Sequence, residues 1–570
     1  MQFPSILPCH MRAQRPPLIV VLAVAIASCT SNDQVAAGAA AGADGGTIVV
    51  AAAGDATTIF PPFANDETGS AVVELVFDRL ADINDALVTV GDKSFSPRLA
   101  RRWTWAPDSL SIAFALDPNA RWHDGPRVTA SDVRFSFKLL TDPKVGSSTA
   151  PTLGNIDSIS VRDSLTPVVW FKKHTPEQFY DIAYQMLVVP EHVYGGIPLD
   201  QLRTSEKTRV PIGSGRFRFV RWNPGQRIEL IADTANFRGR PKLDRVIITP
   251  IDAPTAATQL LAGQIDFAQA FPIDQVSRLD SSSVARAVAF PNMGYAWMGF
   301  NSRDPNAHGR PHPIFSDIRV RRALSMAVDR VGMLRNVYGN KGHLGHGPFP
   351  ATASFADTTL RVPAYDTAAA KALLDSAGWR SGPTGLRMKN GRPLRFRLLG
   401  TTTSLFRMRY SVLLQEQFKR LGVQADIDQL DGKANYEKMA KGDFDAIMGA
   451  ANTDPSPGGT KQFWATEAIG PTGLNVLSYS NRAVDALLDS STASFDPARM
   501  KAYASRASQT IIDDAPAIWL YDITLVDGIN RRITLAPMRP DAWWAHMDAW
   551  SIPADKRIDR DRLGLTQAKP

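Results

Sequence analysis

Few of the side chains that carry chemistry occur here in arrangements that catalysis needs. The chain has no GxSxG elbow for a serine nucleophile, no HExxH pair for a hydrolytic zinc, no Walker A loop for a nucleotide phosphate and no CxxC. Of its 9 histidines, His308, His312, His343 and His346 fall in one Gly- and Pro-rich segment, and His343 with His346 has a loose metal-ligand spacing. No cysteine joins them, and such a loop fixes no ligand geometry, so no metal is assigned. His123 lies in Trp122-His123-Asp124-Gly125, which reads as a tight turn with a hydrogen-bonding histidine and with Asp124 accepting backbone donors. Asp132 comes next, in the first turn of the following helix, where its charge suits the dipole. No catalytic residue and no cofactor is expected, and the chain does not read as an enzyme.

The one cysteine with a chemical reading is Cys29. Arg12 and Arg15 precede an apolar run from Leu18 to Ala27, which ends in Ile26-Ala27-Ser28-Cys29. That run is about ten residues where a spanning helix needs roughly 20, so residues 1–28 read as a cleaved signal peptide rather than a membrane span. The four residues ending at Cys29 look like a bacterial lipobox, whose cysteine is diacylated and becomes the new N-terminus. Lipid on Cys29 would hold the protein at a membrane, in the periplasm or on the cell surface. The alternative is an unmodified cysteine at the end of an ordinary signal, and either Met1 or Met11 can be the start. The only other cysteine is Cys9, so a chain cut before Cys29 keeps no internal disulfide and depends on core burial.

Residues 29–46 are small, polar and free of aromatics, a lipidated tether that cannot bury enough apolar area to order itself. The chain beyond residue 46 is long enough for two lobes or more. The net charge of +8 comes from 64 basic and 56 acidic residues interspersed along the chain, so no nucleic-acid partner is expected. Arg319, Arg321 and Arg322 read as the solvated face of a helix that is apolar on its other side.

The elements that would position a site are set by periodicity. TIVVAAAGD opens as a strand, and a turn-rich loop from Thr57 to Gly69 leads into a helix from Ala71 to Leu80 capped by Ser70. Alternating runs between Trp103 and Val169, with TASDVRFSFKLL between them, predict an antiparallel sheet carrying a helix. RFRFVRW, RIELIAD and RVIITPI read as further strands. One helix is predicted across Ser316 to Val331 and another from Asp366 to Gly378. LRFRLLG, a helix from Tyr410 to Leu421, VQADIDQL, a short helix near Tyr436 to Ala440 and FDAIMGA alternate strand with helix. That order predicts a parallel sheet, with ligands expected at the carboxyl ends of its strands.

The segment LARRWTWAPDSLSIAFALDPNARWHDGPRVTASDVRFSFKLL resembles the longest signature of the family 5 extracellular solute-binding proteins. PIGSGRFRFVRW, NFRGRPKLDRV, GQIDFA, VRRALSMAVDR, YDTAAAKALLDSAGW and IIDDAPAIWLY come after it in that family's order, along nearly the whole mature chain. The resemblance implies an α/β, two-lobed periplasmic-binding-protein-like fold of type II with an inserted α+β subdomain. Lobe I would comprise residues 47–83, 211–291 and 523–570, the subdomain residues 84–210, and lobe II residues 292–522. It further implies a monomer that takes a peptide or other small ligand by hinge closure and delivers it to an ABC permease and ATPase complex. A surface sensor, chaperone or hydrolase of the same fold is the alternative.

The family's ligand contacts carry over to Asn65, Asp66 and Glu67 in the loop before the first helix. Its peptide binders place an acidic residue shortly after the FDAIMGA-type strand, to pair with the peptide amine. Here Asn452 falls where that carboxylate is expected, or Asp454 supplies it from a shortened loop. A neutral amide makes a bond to ammonium about half as strong as a carboxylate does, which leaves an oligosaccharide or a nickel chelate as alternative ligands. Trp297, near the crossing between lobes, and Trp464, after the Asn452 loop, are candidates for stacking on a ligand or for core packing.

Overall fold

The structure is a computed structural model that describes residues 45–470 and 473–562. The signal at 1–28, Cys29 and most of the 29–46 tether lie outside the described residues. Gly45 and Gly46 are already buried, and Gly46 N donates to the Asp244 carboxylate at 2.6 Å.

The first apolar run forms strand β1 (Thr47–Ala52), followed by helix α1 (Glu67–Val76). Strands β2 (Ala100–Trp105), β3 (Ser111–Leu116), β4 (Ile156–Asp163) and β5 (Thr166–Phe171) make a separate antiparallel sheet in the order β2-β3-β5-β4. Helix α2 (Ala130–Thr141) packs on that sheet, and the short helix α3 (Gln178–Ala183) closes the subdomain. Alternation of buried and half-buried side chains in β3 turns Ile112, Phe114 and Leu116 into the core that also gathers Trp122 and Phe179.

The chain then builds β6 (Phe217–Asn223), β7 (Arg227–Ala232) and β8 (Arg245–Pro250), an antiparallel meander whose last strand lies parallel to β1. Strand β9 (Phe267–Ala268) pairs with the other edge of β1, and β10 (Ala285–Phe300) comes after it. Helices α4 (Ile318–Met326), α5 (Arg330–Tyr338) and α6 (Thr367–Ser376) lead into β11 (Arg395–Thr401), α7 (Leu405–Arg420), β12 (Gln424–Leu430), α8 (Gly432–Lys441) and β13 (Ala446–Asn452). β11 is parallel to both β12 and β13, as the strand-helix alternation predicts. Helices α9 (Gly458–Trp464) and α10 (Pro497–Asp514) precede the long strand β14 (Ala517–Asn530).

These strands join in one mixed sheet ordered β12-β11-β13-β10-β14-β9-β1-β8-β7-β6, with the two-residue strand His343–Leu344 added to β14. Among the described residues only β10 and β14 run through both halves. Ala285–Pro291 pairs with Thr524–Asn530 in the first half, and Tyr295–Gly299 with Ala517–Asp522 in the second. The register shifts between Pro291 and Tyr295, so Asn292, Met293 and Gly294 stand against Ile523 alone. This is the two-lobed α/β fold with an inserted subdomain. Apolar residues cover both faces of the second half, Met298, Leu398 and Phe418 on one side and Trp297, Trp464 and Trp519 on the other.

Four local readings change, the first being that α7 begins at Leu405, five residues before the predicted Tyr410, because Ser404 caps it through Arg407 N. Helix α1 begins at Glu67, four residues before the predicted start, because the Asp66 carboxylate rather than Ser70 accepts from Gly69 N at 2.8 Å. Gly69 fits there because a Cβ would stand 2.5 Å from the Thr58 carbonyl. The helix predicted across Ser316 to Val331 is two helices, since Asp329 turns to cap α5 through Gly332 N. The arginines of α4 are not all solvated. Arg321 donates to the carbonyls of Phe315, Asp514 and Ala515, and Arg322 to that of Asp513, so together they close the C-terminus of α10. Among the described residues no helix is long and apolar enough to cross a membrane.

Candidate ligand-binding site

Strand β13 ends at Asn452, opposite Gly294 of β10, at the carboxyl end of the parallel set. A Cβ on Gly294 would stand 2.5 Å from Asn452 Oδ1, so the glycine makes room for that amide. The next residue ties the loop to the crossing segment, for Thr453 N donates to the Met293 carbonyl at 2.8 Å. Asp454 Oδ1 accepts from Ser456 N at 3.0 Å and fixes a tight turn. Ser456 Oγ then donates to Glu177 Oε2 of the inserted subdomain at 2.8 Å, while Glu177 Oε1 accepts from Thr89 Oγ1 at 2.5 Å.

This contact gathers carboxylates. Burial, then the neighbouring Glu177 and Asp454 charges, push Asp181 up to about 8. Burial likewise raises Glu177 and Asp454 from their ordinary values. Asp454 keeps one side open to solvent while protein crowds the other. Among the described residues no Lys, Arg or His forms an ion pair with any of the three. Such a group favours a cation such as an ammonium, which offsets both the desolvation and the mutual repulsion.

Asn65, Asp66 and Glu67 lie beside the first half of the sheet, in the loop before α1 and at the helix start. Asn65 is exposed in the loop before α1, and Asp66 is occupied by its cap, accepting also from Thr57 N and Oγ1. Glu67 accepts from Trp543 Nε1 at 3.0 Å and from Gln269 Nε2, and burial raises its pKa. Beside it, Asp527 of β14 is fully buried and pushed up to about 7, mainly by desolvation and further by Glu67. Asp527 Oδ1 accepts from Ala270 N at 2.9 Å, and Oδ2 has no partner among the described residues. No hydrogen bond or ion pair among the described residues joins residues 65–67 to residues 452–454.

Trp464 is 1 % exposed and donates from Nε1 to Tyr295 Oη at 2.9 Å. Its ring meets Trp519 at 5.0 Å and Trp297 at 5.8 Å, both edge-on, and Trp297 is itself buried against Tyr295 and Phe463. Both rings are thus packed into the core behind the Asn452 loop, with their faces and edges taken by other aromatics.

The histidines do not gather into one group: His308 lies by Gly442 and His312 by Asp445, whereas His346 is near His343. His312 accepts from Ile314 N and Phe315 N through Nδ1 and contacts the Asp445 carboxylate through Nε2, whereas His343 contacts Thr524 Oγ1 on the crossing strands. Among the described residues no group of three or more His, Cys, Asp or Glu is arranged to hold a metal ion. His123 Nδ1 accepts from Gly213 N and its Nε2 meets the Gly215 carbonyl, which pins the subdomain to the segment leading into β6. Asp124 pairs with His192 at 2.9 Å instead of with backbone donors. Asp132 completes a capping box with Thr129 and also accepts from Glu191 N.

Sequence reasoning missed Glu177 and Asp181. No local pattern marks TPEQFYD as part of a site, and Glu177 meets Ser456 across 279 residues of chain.

The model of the bacterial extracellular solute-binding proteins, family 5, matches residues 94–468. The oligopeptide-binding protein AppA of Bacillus subtilis (strain 168) is 26% identical over 516 residues, covering 88% of this chain and 92% of its own length. The ABC transporter substrate-binding protein CtaP from Listeria monocytogenes has a similar structure, with a TM-score of 0.77 at 20% identity over 89% of this chain and 99% of that one. NikZ from Campylobacter jejuni, solved in complex with Ni(L-His), gives 0.70 at 22% identity over the same shares.

Proposed function

Since this chain belongs to the bacterial extracellular solute-binding proteins, family 5, we propose that it is the receptor of an ABC importer, capturing a peptide or similar small solute through a free amine. Its role is to bind a solute, not to transform one. The observation that carries the amine is the group of three carboxylates, Asp454, Asp181 and Glu177, with no cation paired to any of them among the described residues. A ligand ammonium against Asp454 and Asp181 would neutralise them through charge-assisted hydrogen bonds. Asp454, not Asn452, is the amine partner on this reading, and Asn452 offers a neutral amide beside it. Asn65 and Glu67 contact the remainder of the ligand from lobe I, and Trp297 with Trp464 backs the loop from behind.

Capture proceeds by closure of residues 47–83, 211–291 and 523–570 against residues 292–522, with the subdomain at 84–210 beside the first lobe. The pivot is the out-of-register segment Asn292–Gly294 against Ile523, where the ladder joining the lobes is thinnest. Lipid on Cys29 keeps the receptor beside its permease and ATPase, and it acts there as a monomer. The relatives' names support a peptide as the solute.

Titration calorimetry of the mature chain tests this reading, using di- to nonapeptides as free amines and as N-acetylated copies. Binding of the free amines and at least about tenfold loss on acetylation or in Asp454→Asn is expected, since hydrogen bonds to charged groups contribute about 1.5–3 kcal/mol. Equal affinity for acetylated copies would remove the amine reading, and a response only to a nickel chelate or an oligosaccharide would remove the peptide.

A further inference from the structure

Glu177 is the N-cap of α3, yet its carboxylate makes no capping bond to its own helix. Both oxygens are instead taken by hydroxyls, Thr89 Oγ1 at 2.5 Å and Ser456 Oγ at 2.8 Å. Thr89 is fully buried in the subdomain, so it fixes the carboxylate from behind. Ser456 stands at the start of α9, where its Oγ also accepts from Gly458 N at 3.0 Å, and its own N donates to Asp454. The chain Thr89, Glu177, Ser456, Asp454 thus runs from the subdomain interior to the amine-binding carboxylate. It does not stand alone, because Phe179 and Tyr180 share an apolar cluster with Phe355, Met500 and Ala504, and His174 lies 4.2 Å from Phe495.

We propose that Glu177 is a positioning residue that latches the inserted subdomain onto the Asp454 loop, so that the subdomain, and not the two lobes alone, holds the ligand in. With both oxygens engaged, Glu177 does not grip the ligand. It orients Ser456 and through it the turn that presents Asp454. Releasing the ligand past the subdomain must break this charge-assisted bond, and rotation of Ser456 then loosens the turn. The subdomain thereby sets how long a ligand stays. The inference rests on the peptide-receptor reading for its ligand, but the latch has a readout that needs none.

The test compares wild type with Glu177→Gln, Ser456→Ala and Thr89→Val. In the ligand-free chain, hydrogen exchange at the amides of Ser456 and Gly458 is expected to quicken about tenfold in each variant, the loss expected for one hydrogen bond to a charge. With a bound free-amine peptide, stopped-flow tryptophan fluorescence should give about tenfold faster dissociation and little change in association, and Glu177→Gln combined with Ser456→Ala should add nothing to either alone. Because Ser456→Ala also removes the acceptor of Gly458 N, the latch is decided by the other two variants: unchanged exchange in Glu177→Gln and Thr89→Val overturns it, as does strict additivity. A wild type that binds no peptide removes the receptor reading, while the exchange measurement still decides the latch.

Discussion

Asp454 and Asn452 stand two residues apart, yet only the carboxylate joins the acidic group around Glu177 and Asp181. Raised carboxyl pKa values make this group sensitive to pH. Asp181, held up to about 8, binds a proton in the folded chain that the unfolded chain has released above about pH 4, and Asp522 and Asp527, each near 7, behave alike. The folded state binds more protons across that window, so its stability should fall as pH rises from 5 to 8, measured as the thermal midpoint of the ligand-free chain. Affinity for an ammonium should rise over the same interval, because the ligand displaces protons, and level off near pH 8 where an α-amine begins to lose its own. Calorimetry in buffers of different ionisation enthalpy checks the proton release, and affinity independent of pH between 5 and 8 would count against these carboxylates. The family resemblance supplied Asp454 as a candidate, since it implies an acidic residue shortly after β13. It could not supply Asp181, whose environment is made by residues far along the chain.

Among the elements, helix α1 illustrates how a cap outranks a periodic pattern. The apolar positions Val72, Leu75 and Val76 were legible, but the start was set by Asp66, which takes both Gly69 N and the Thr57 hydroxyl. Asp66→Ala should lower stability by about 1 kcal/mol in a denaturant titration, while Ser70→Ala, which removes no cap, should leave the midpoint nearly unchanged. The opposite ranking would restore the later start. Helix α10 shows a second limit of local reading. Its last carbonyls are closed by Arg321 and Arg322, nearly 200 residues earlier in the chain, which periodicity reads as a solvated face. Helix α6 was legible because it carries its own period and the Asp366 cap, strands β11 to β13 because each carries its own apolar pattern, and α7 only in its later turns, since its Ser404 cap lies ahead of the periodic stretch.

For the molecule as one body, the decisive feature is that two long strands cross between halves of one sheet and lose register together. Gly294 sits in that break, where a Cβ would meet Asn452 Oδ1 at 2.5 Å and Ile523 Cδ1 at 2.8 Å. Gly294→Ala should therefore strain the proposed pivot and weaken ligand affinity by about tenfold or more, since forced overpacking costs about 1–3 kcal/mol. Small-angle scattering should show wild type compacting on ligand addition and the variant compacting less. Equal compaction would remove the pivot from this segment. Local period, composition and motif order were enough for the family, for the alternation of strand and helix in the second lobe and for the antiparallel character of the subdomain. They were not enough to show that Trp297 and Trp464 face the core, that the four histidines do not gather into one group, or that Glu177 reaches Ser456, all of which emerged from the packed chain. Those outcomes depend on contacts between segments hundreds of residues apart, and such contacts have no local signature because burial and electrostatics are properties of the packed surroundings.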